Sequence, residues 1–183
     1  MLKAYKFRLY PTKSQRTKME RTLDLCRWTY NQTLAYRKEA WEKESRSTSK
    51  YETNNLLPGW KTEKLELNDV FSQVLQNAQE RVDLALKAFF RRVKAGENPG
   101  YPRFRGKGWY DSFTYPQFGF KLESGTLRLS KIGDIKIKLH RLIEGNIKRL
   151  TIRRVAAGKW YACFSVKQED KPKPLWKDGS MVG

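Results

Sequence analysis

A strand with no partner near it sets the terms on which this chain can fold. Residues 2–10 alternate, with Tyr5, Phe7 and Leu9 on one side and Lys6, Arg8 and Tyr10 on the other. That is the period-two pattern of a half-buried β-strand. Pro11 ends it, and Thr12 or Ser14 can cap the next element. Helical periodicity comes next. Met19, Leu23, Cys26, Tyr30, Leu34 and Trp41 form one apolar stripe over a helix at 14–45, and Val70, Val74, Ala78, Val82, Ala85, Phe89 and Val93 form another over 67–94. Between them Pro58-Gly59 signals a turn within 51–66, with a short helix expected to flank it. Short alternating runs then occur at 118–122, 126–129, 135–139, 147–155 and 160–166, punctuated by Gly125, Gly133-Asp134, Glu144-Gly145-Asn146 and Ala157-Gly158-Lys159. These runs predict an antiparallel β-barrel or sandwich. The first strand must join that distant sheet, with the helices inserted between.

Charge narrows the partners. The chain holds 38 Lys+Arg against 19 Asp+Glu, a formal net charge of +19 over 183 residues. A compact domain with that excess repels itself until a polyanion neutralises it. Aromatic content is 13%, and rings interleaved with cations suit nucleic acid, where phosphates take the charges and exposed bases stack. No apolar run approaches the roughly 20 residues of a membrane span. The N-terminus carries no apolar segment of a secretory signal, so a cytoplasmic location is expected. Cys26, Cys163 and His140 are the only residues of their types, too few for a disulfide framework or a zinc site.

The chemistry-bearing features are cationic. Lys6 and Arg8 on the first strand, Lys136 and Lys138 within Ile135–Leu139, and Lys148, Arg149, Arg153 and Arg154 within Ile147–Val155 are expected to stack into one basic sheet face. The Gly/Pro-broken loop from Tyr101 to Trp109 spaces Arg103, Arg105 and Lys107 by two, with Tyr101, Phe104 and Trp109 among them. Guanidinium forks suit phosphate oxygens and the rings suit bases, while Phe104 is expected to plug the core. Asn31 suits either a helix cross-link or a phosphate contact. The second long helix shows Ser72, Gln73, Gln76, Asn77, Glu80 and Arg81 on its polar side, and Gln or Asn can pair bidentately with adenine. No phosphate loop, nucleophile elbow or carboxylate cluster is present.

These residues resemble a known family. Lys3-Ala4-Tyr5-Lys6-Phe7-Arg8-Leu9-Tyr10-Pro11-Thr12, succeeded by Cys26-Arg27-Trp28-Thr29-Tyr30-Asn31, is similar to the start of TnpB, the insertion-sequence OrfB proteins related to type V CRISPR effectors. Ala88-Phe89-Phe90-Arg91, Tyr101-Pro102-Arg103-Phe104-Arg105 and the 147–166 strand pair resemble further signatures in the same order. The resemblance implies an α+β fold, an antiparallel OB-like β-barrel (wedge domain) with an inserted helical recognition domain. The corresponding boundaries are 1–12 for the first barrel strand, 13–109 for the insertion, 110–170 for the rest of the barrel and 171–183 for a linker.

The resemblance also implies partners: a guide RNA from the transposon end, double-stranded target DNA, and a nuclease domain or chain. Such systems delegate most sequence reading to base pairing. Tyr51, Ser72, Gln73, Gln76, Phe113 and Thr114 match the positions that would read the short transposon-adjacent DNA motif, with Ser72 standing where a lysine is expected. Arg27 joins the cations above as a backbone contact. The family continues past a Val-Gly into an Ile-Asp-x-Gly bearing the first nuclease carboxylate, whereas this sequence ends at Met181-Val182-Gly183. The Mg and Zn of the family are therefore expected only beyond this chain, with no cofactor, no catalytic residue and no DNA cleavage in the chain alone. The competing expectations are an RNA-independent DNA-binding repressor or transposition accessory, and a general RNA-binding protein.

Overall fold

The N-terminal strand lies in the middle of a seven-stranded antiparallel sheet. The computed structural model describes residues 1–168. Its strands are β1 (Leu2–Tyr10), β2 (Ser112–Tyr115), β3 (Phe120–Glu123), β4 (Thr126–Leu129), β5 (Gly133–Lys138), β6 (Asn146–Arg154) and β7 (Trp160–Lys167). Their order is β2-β6-β7-β1-β5-β4-β3. Lys6 stands opposite Cys163 on β7, and Leu9 stands opposite both Trp160 on β7 and Ile137 on β5. The sheet curls until its two edges meet. The Tyr115 and Phe120 rings touch at 6.3 Å, and the Tyr115 hydroxyl donates to Ser130 O at 2.9 Å. The result is a nearly closed OB-like barrel. The alternation in β1 holds: Tyr5, Phe7 and Leu9 are buried and join Phe113, Tyr115, Trp160 and Phe164 in the core.

Three helices connect β1 to β2: α1 (Lys13–Glu44), α2 (Lys50–Glu63) and α3 (Ser72–Lys94), with a 3-10 turn over Leu65–Asp69. Thr12 and Gln15 close a reciprocal capping box that starts α1. Met19, Leu23, Cys26, Tyr30 and Leu34 are buried as their spacing predicts, but Trp41 is 57% exposed, the buried position at that end of α1 being Ala40. In α3 the stripe holds from Val74 to Val82, and Val93 lies in the open. The Phe71 ring, at the N-cap of α3, stacks on Tyr115 at 6.0 Å and 23°, so helix and barrel share one core.

Two local expectations are corrected, and one strand escapes the sequence pattern. Pro58-Gly59 makes no turn, since α2 passes straight through it. An interior proline forfeits one helical hydrogen bond at about 3 kcal/mol. Here Leu57 is buried and Trp60 packs edge-on against Trp28 at 5.9 Å. Burial of large apolar side chains at roughly 1.5–3 kcal/mol each offsets that cost. Strand β2 carries no signal in the sequence, because four residues are too few to show alternation and Thr114 is buried along with Phe113 and Tyr115. Phe104 is 52% exposed and plugs nothing. The expected linker at 171–183 falls outside the described residues.

Candidate nucleic-acid interface

Strand register decides which cations share a surface. Lys138 on β5 stands opposite Arg8 on β1, Arg8 opposite Tyr161 on β7, and Tyr161 opposite Arg153 on β6. One row of outward side chains thus crosses four strands, roughly 14 Å at about 4.8 Å per strand. Lys6 and Lys136 lie beside it on the same face. Tyr161 is its aromatic centre: Lys6 Nζ sits 4.3 Å and the Arg8 guanidinium 5.5 Å from its ring, and Arg8 also lies 5.3 Å from the Tyr10 ring. Cation–π contacts hold the long side chains in place without neutralising them. Among the described residues none of Lys6, Arg8, Lys136 or Lys138 pairs with a carboxylate, in contrast to Arg128 and Arg46. The face therefore keeps its charge free for a polyanion.

The expected single face is in part corrected. Successive strand residues point to opposite sides, so Arg153 and Arg154 cannot both line it. Arg153 lies on the outer row and meets Asp111 at 3.3 Å, both side chains being about half exposed. Arg154 turns the other way and pairs with Glu20 of α1, fastening helix to barrel. Lys148 sits at a register irregularity between Ile147 and Arg149 and is exposed. Arg149 is exposed near Glu80, whose carboxyl is held low chiefly by the hydrogen bond from Lys50.

The 101–109 loop extends this surface. Asn31 on α1 grips the backbone of Arg105 from both sides: its Nδ2 donates to Arg105 O at 2.9 Å, and its Oδ1 accepts from Arg105 N at 2.8 Å. Arg27 adds a longer contact to the same carbonyl at 3.5 Å. Arg27 is thus a loop support; its Nε is buried without a hydrogen bond and lies 3.8 Å from Asp24. The Arg105 guanidinium lies over Tyr30 at 5.7 Å. Arg103, Lys107 and Trp109 are exposed. Arg105 and Trp109 line a cleft of about 870 Å³ with Arg153, so loop and barrel row form one track; the paired Arg154 and Glu20 close one side of it, and Asp111 lines it as well.

The six positions assigned to DNA-motif reading separate into three groups. Tyr51 on α2 and Gln76 on α3 are exposed. Ser72 and Gln73 are half-buried at the start of α3. The Gln73 Oε1 accepts from Phe118 N at 3.3 Å, which ties α3 to the β2–β3 loop. That loop needs Gly119, since a Cβ there would stand 2.6 Å from the Phe71 ring at a φ of +89°. A lysine does stand beside Ser72: Lys61 of α2 donates to its Oγ at 2.5 Å. Burial, and after it the Lys131 charge, lower the Lys61 pKa. Phe113 and Thr114 are 1% and 4% exposed and present no surface. Thr114 instead accepts from Arg81 at 3.0 Å and shares a hydrogen bond with Thr151, while Arg81 also donates to Ser112 O at 2.9 Å. Arg81, which reads as a surface residue in the sequence, braces α3 against β2. Its partners on β2 come from residues 112–114, and no local signal marks them; on its own helix it donates to Asn77 Oδ1 at 3.3 Å.

A separate cleft of about 410 Å³ between the ends of α1 and α3 is lined by Trp41, Phe89, Phe90 and Tyr101. Its cations are already paired, Arg37 with Asp83, Lys38 with Glu42 and Arg46 with Glu44 and Glu52. It offers aromatic area without free charge. Among the described residues no three His, Cys, Asp or Glu side chains gather as metal ligands, and no helix is long and apolar enough to cross a membrane.

Fold and surface together define a basic OB-like barrel with a helical insertion and an open cationic face. Residues 1–46 match the family model of the IS605 OrfB helix-turn-helix domain. In this chain they form one strand and one unbroken helix. Over 186 residues, 100% of its length, the chain is 34% identical to the Escherichia coli K12 protein named "Putative RNA-guided DNA endonuclease InsQ", covering 44% of that protein. It is 32% identical over 178 residues, 94% of its length, to a Streptomyces pristinaespiralis "Putative RNA-guided DNA endonuclease", covering 43%. The chain is thus similar to the N-terminal part of TnpB-like insertion-sequence OrfB proteins. It spans less than half the length of these relatives.

Proposed function

We propose that this chain is the recognition part of an RNA-guided DNA endonuclease. It binds a guide RNA transcribed from a transposon end, together with double-stranded target DNA beside a short transposon-adjacent motif. The observation that carries the reading is the cross-barrel row Lys138, Arg8, Tyr161 and Arg153, continued by Arg105 and Trp109. The names of the relatives support it.

The row grips backbone. Each cation that meets a phosphate releases a condensed counterion, and this supplies sequence-independent affinity. Sequence is then left to base pairing by the guide and to a short protein-read motif. Gln76, Tyr51 and the Lys61–Ser72 pair form the polar surface at α2 and α3 for that motif. Cleavage belongs to the portion of the relatives that this chain does not span, because two-metal phosphodiester hydrolysis needs its own carboxylate cage. DNA cleavage by the isolated chain with Mg²⁺ would refute that division.

The decisive test is to purify the chain at moderate salt, digest the protein and sequence the RNA that comes with it. One dominant transposon-end RNA is the expected result. A random mixture, or RNA-free protein that selects a specific DNA duplex, overturns guidance and leaves an RNA-independent DNA-binding protein.

A further inference from the structure

The cleft between the 101–109 loop and the β6–β7 turn has features that phosphate binding alone does not require. Trp109 is 77% exposed, although an indole is among the side chains that gain most from burial. Its backbone is nevertheless held. Trp109 N donates to Gly106 O at 3.1 Å, Asn31 holds Arg105 on one side, and Arg154 N donates to Asp111 O at 2.8 Å on the other. The opposite wall is a tight turn closed by Val155 N to Lys159 O and Gly158 N to Val155 O, each 2.9 Å. Arg153 lines the same cleft, and its half-exposed pairing with Asp111 is of the kind worth little in water, so a phosphate can displace it.

A solvent-facing indole on a hydrogen-bonded backbone, in a cleft lined by the guanidinium groups of Arg105, Arg153 and Arg154, matches the chemistry of an unpaired nucleotide: a free base face for stacking and a phosphate within reach of a fork. A duplex hides its base faces in the stack and offers the ring nothing. We propose that this cleft takes an unpaired nucleotide of the bound RNA, with its base on Trp109 and its phosphate on Arg153 and Arg105. This rests on the proposed function for the choice of RNA, and it assigns Trp109 a role in distinguishing unpaired from paired segments.

The test uses the full chain and three probes: single-stranded oligoadenylate RNA, a blunt RNA duplex of equal length, and oligodeoxyadenylate. Trp109→Ala is expected to weaken binding to oligoadenylate RNA about tenfold, while Trp109→Phe retains most of it. Duplex affinity, which depends on backbone charge that both variants keep, should change less than about twofold. An unchanged melting temperature is expected, since the ring lies outside the core. Equal losses on single strand and duplex, or no loss on either, overturn the proposal while leaving nucleic-acid binding intact. A Trp109-dependent preference for oligodeoxyadenylate over the RNA reassigns the cleft to displaced DNA and overturns the RNA assignment. Failure of the unaltered chain to bind either RNA overturns both this inference and the function it rests on.

Discussion

Asn31 and Arg105 are 74 residues apart, yet one side-chain amide satisfies both backbone groups of the other residue, at 2.8 and 2.9 Å. The carboxamide is suited to this because it donates and accepts in one plane. The bond pair hangs a Gly/Pro-broken loop on α1 and thereby aims its cations. Asn31→Ala is expected to cost about 1–2 kcal/mol of stability, the worth of the two hydrogen bonds. It should also weaken nucleic-acid binding although no charge is lost. Fluorescence anisotropy against KCl concentration separates these effects. Affinity and salt slope should fall together as the loop cations lose their aim, whereas a lower affinity at an unchanged slope would mean that Asn31, an uncharged side chain, touches phosphate itself.

Arg153 and Arg154 are neighbours with opposite tasks. Arg153→Ala should lower the slope of log affinity against log salt by about 0.7–0.9, as expected for one lost phosphate contact. Arg154→Ala should leave the slope unchanged and lower the urea midpoint instead, since it unpairs Glu20 at the helix–barrel junction. Equal slopes for the two variants would show that the strand's two faces do not divide as described.

Asp83 is 7% exposed and joins α3 to α1 through Arg37 at 2.9 Å, with Lys87 on its other oxygen at 2.8 Å. Burial by itself would raise its carboxyl pKa, but Lys87 and Arg37 hold it below the usual aspartate range. A depressed folded-state pKa contributes stability that is present above the unfolded value of about 3.9 and lost as pH falls through the folded value. Asp83→Asn should therefore be less stable than the parent at neutral pH. Asp83→Ala should cost about 3–5 kcal/mol by leaving Arg37 buried without its counter-charge. Urea denaturation along a descending pH series should show the gap between parent and Asp83→Asn closing below about pH 4. A gap that persists into acid unfolding would assign it to packing.

Gln76 is the exposed amide on the α3 face, whereas Gln73 is engaged with Phe118 N. Gln76→Ala should cost about 1–3 kcal/mol on the preferred DNA motif alone, the worth of a bidentate base contact. Competition among motif-randomised duplexes gives the answer. An unaltered preference removes Gln76 from the reading surface.

Much of the architecture is legible in the residues themselves. The alternation of β1, the capping residue Thr12 and the 3.6-residue stripes of α1 and α3 are local patterns; β1 and α1 appear with nearly the predicted ends, whereas α3 starts at Ser72 instead of 67, behind a 3-10 turn over Leu65–Asp69. The insertion of helices between β1 and the sheet is equally readable, because a strand with an apolar side and no neighbour has to pair somewhere. Local reading errs in two ways. Pro58 reads as a breaker because propensity counts only the lost hydrogen bond, not the packing of Leu57 and Trp60 on either side of it. Resemblance puts Phe113 and Thr114 on a surface, and four-residue β2 shows too little pattern to reveal that they lie inside.

Residue types and their order are enough to make this protein a strongly cationic barrel with a helical insertion, since periodicity is local and net charge is a sum. Which of those cations act together is a tertiary matter. Register placed Lys138, Arg8, Tyr161 and Arg153 in one row across strands drawn from distant segments, sent Arg154 to Glu20, and left Asn31 to aim the loop. Those outcomes depend on which backbone groups pair between strands far apart in the chain, and a one-residue slip in any strand would exchange its two faces.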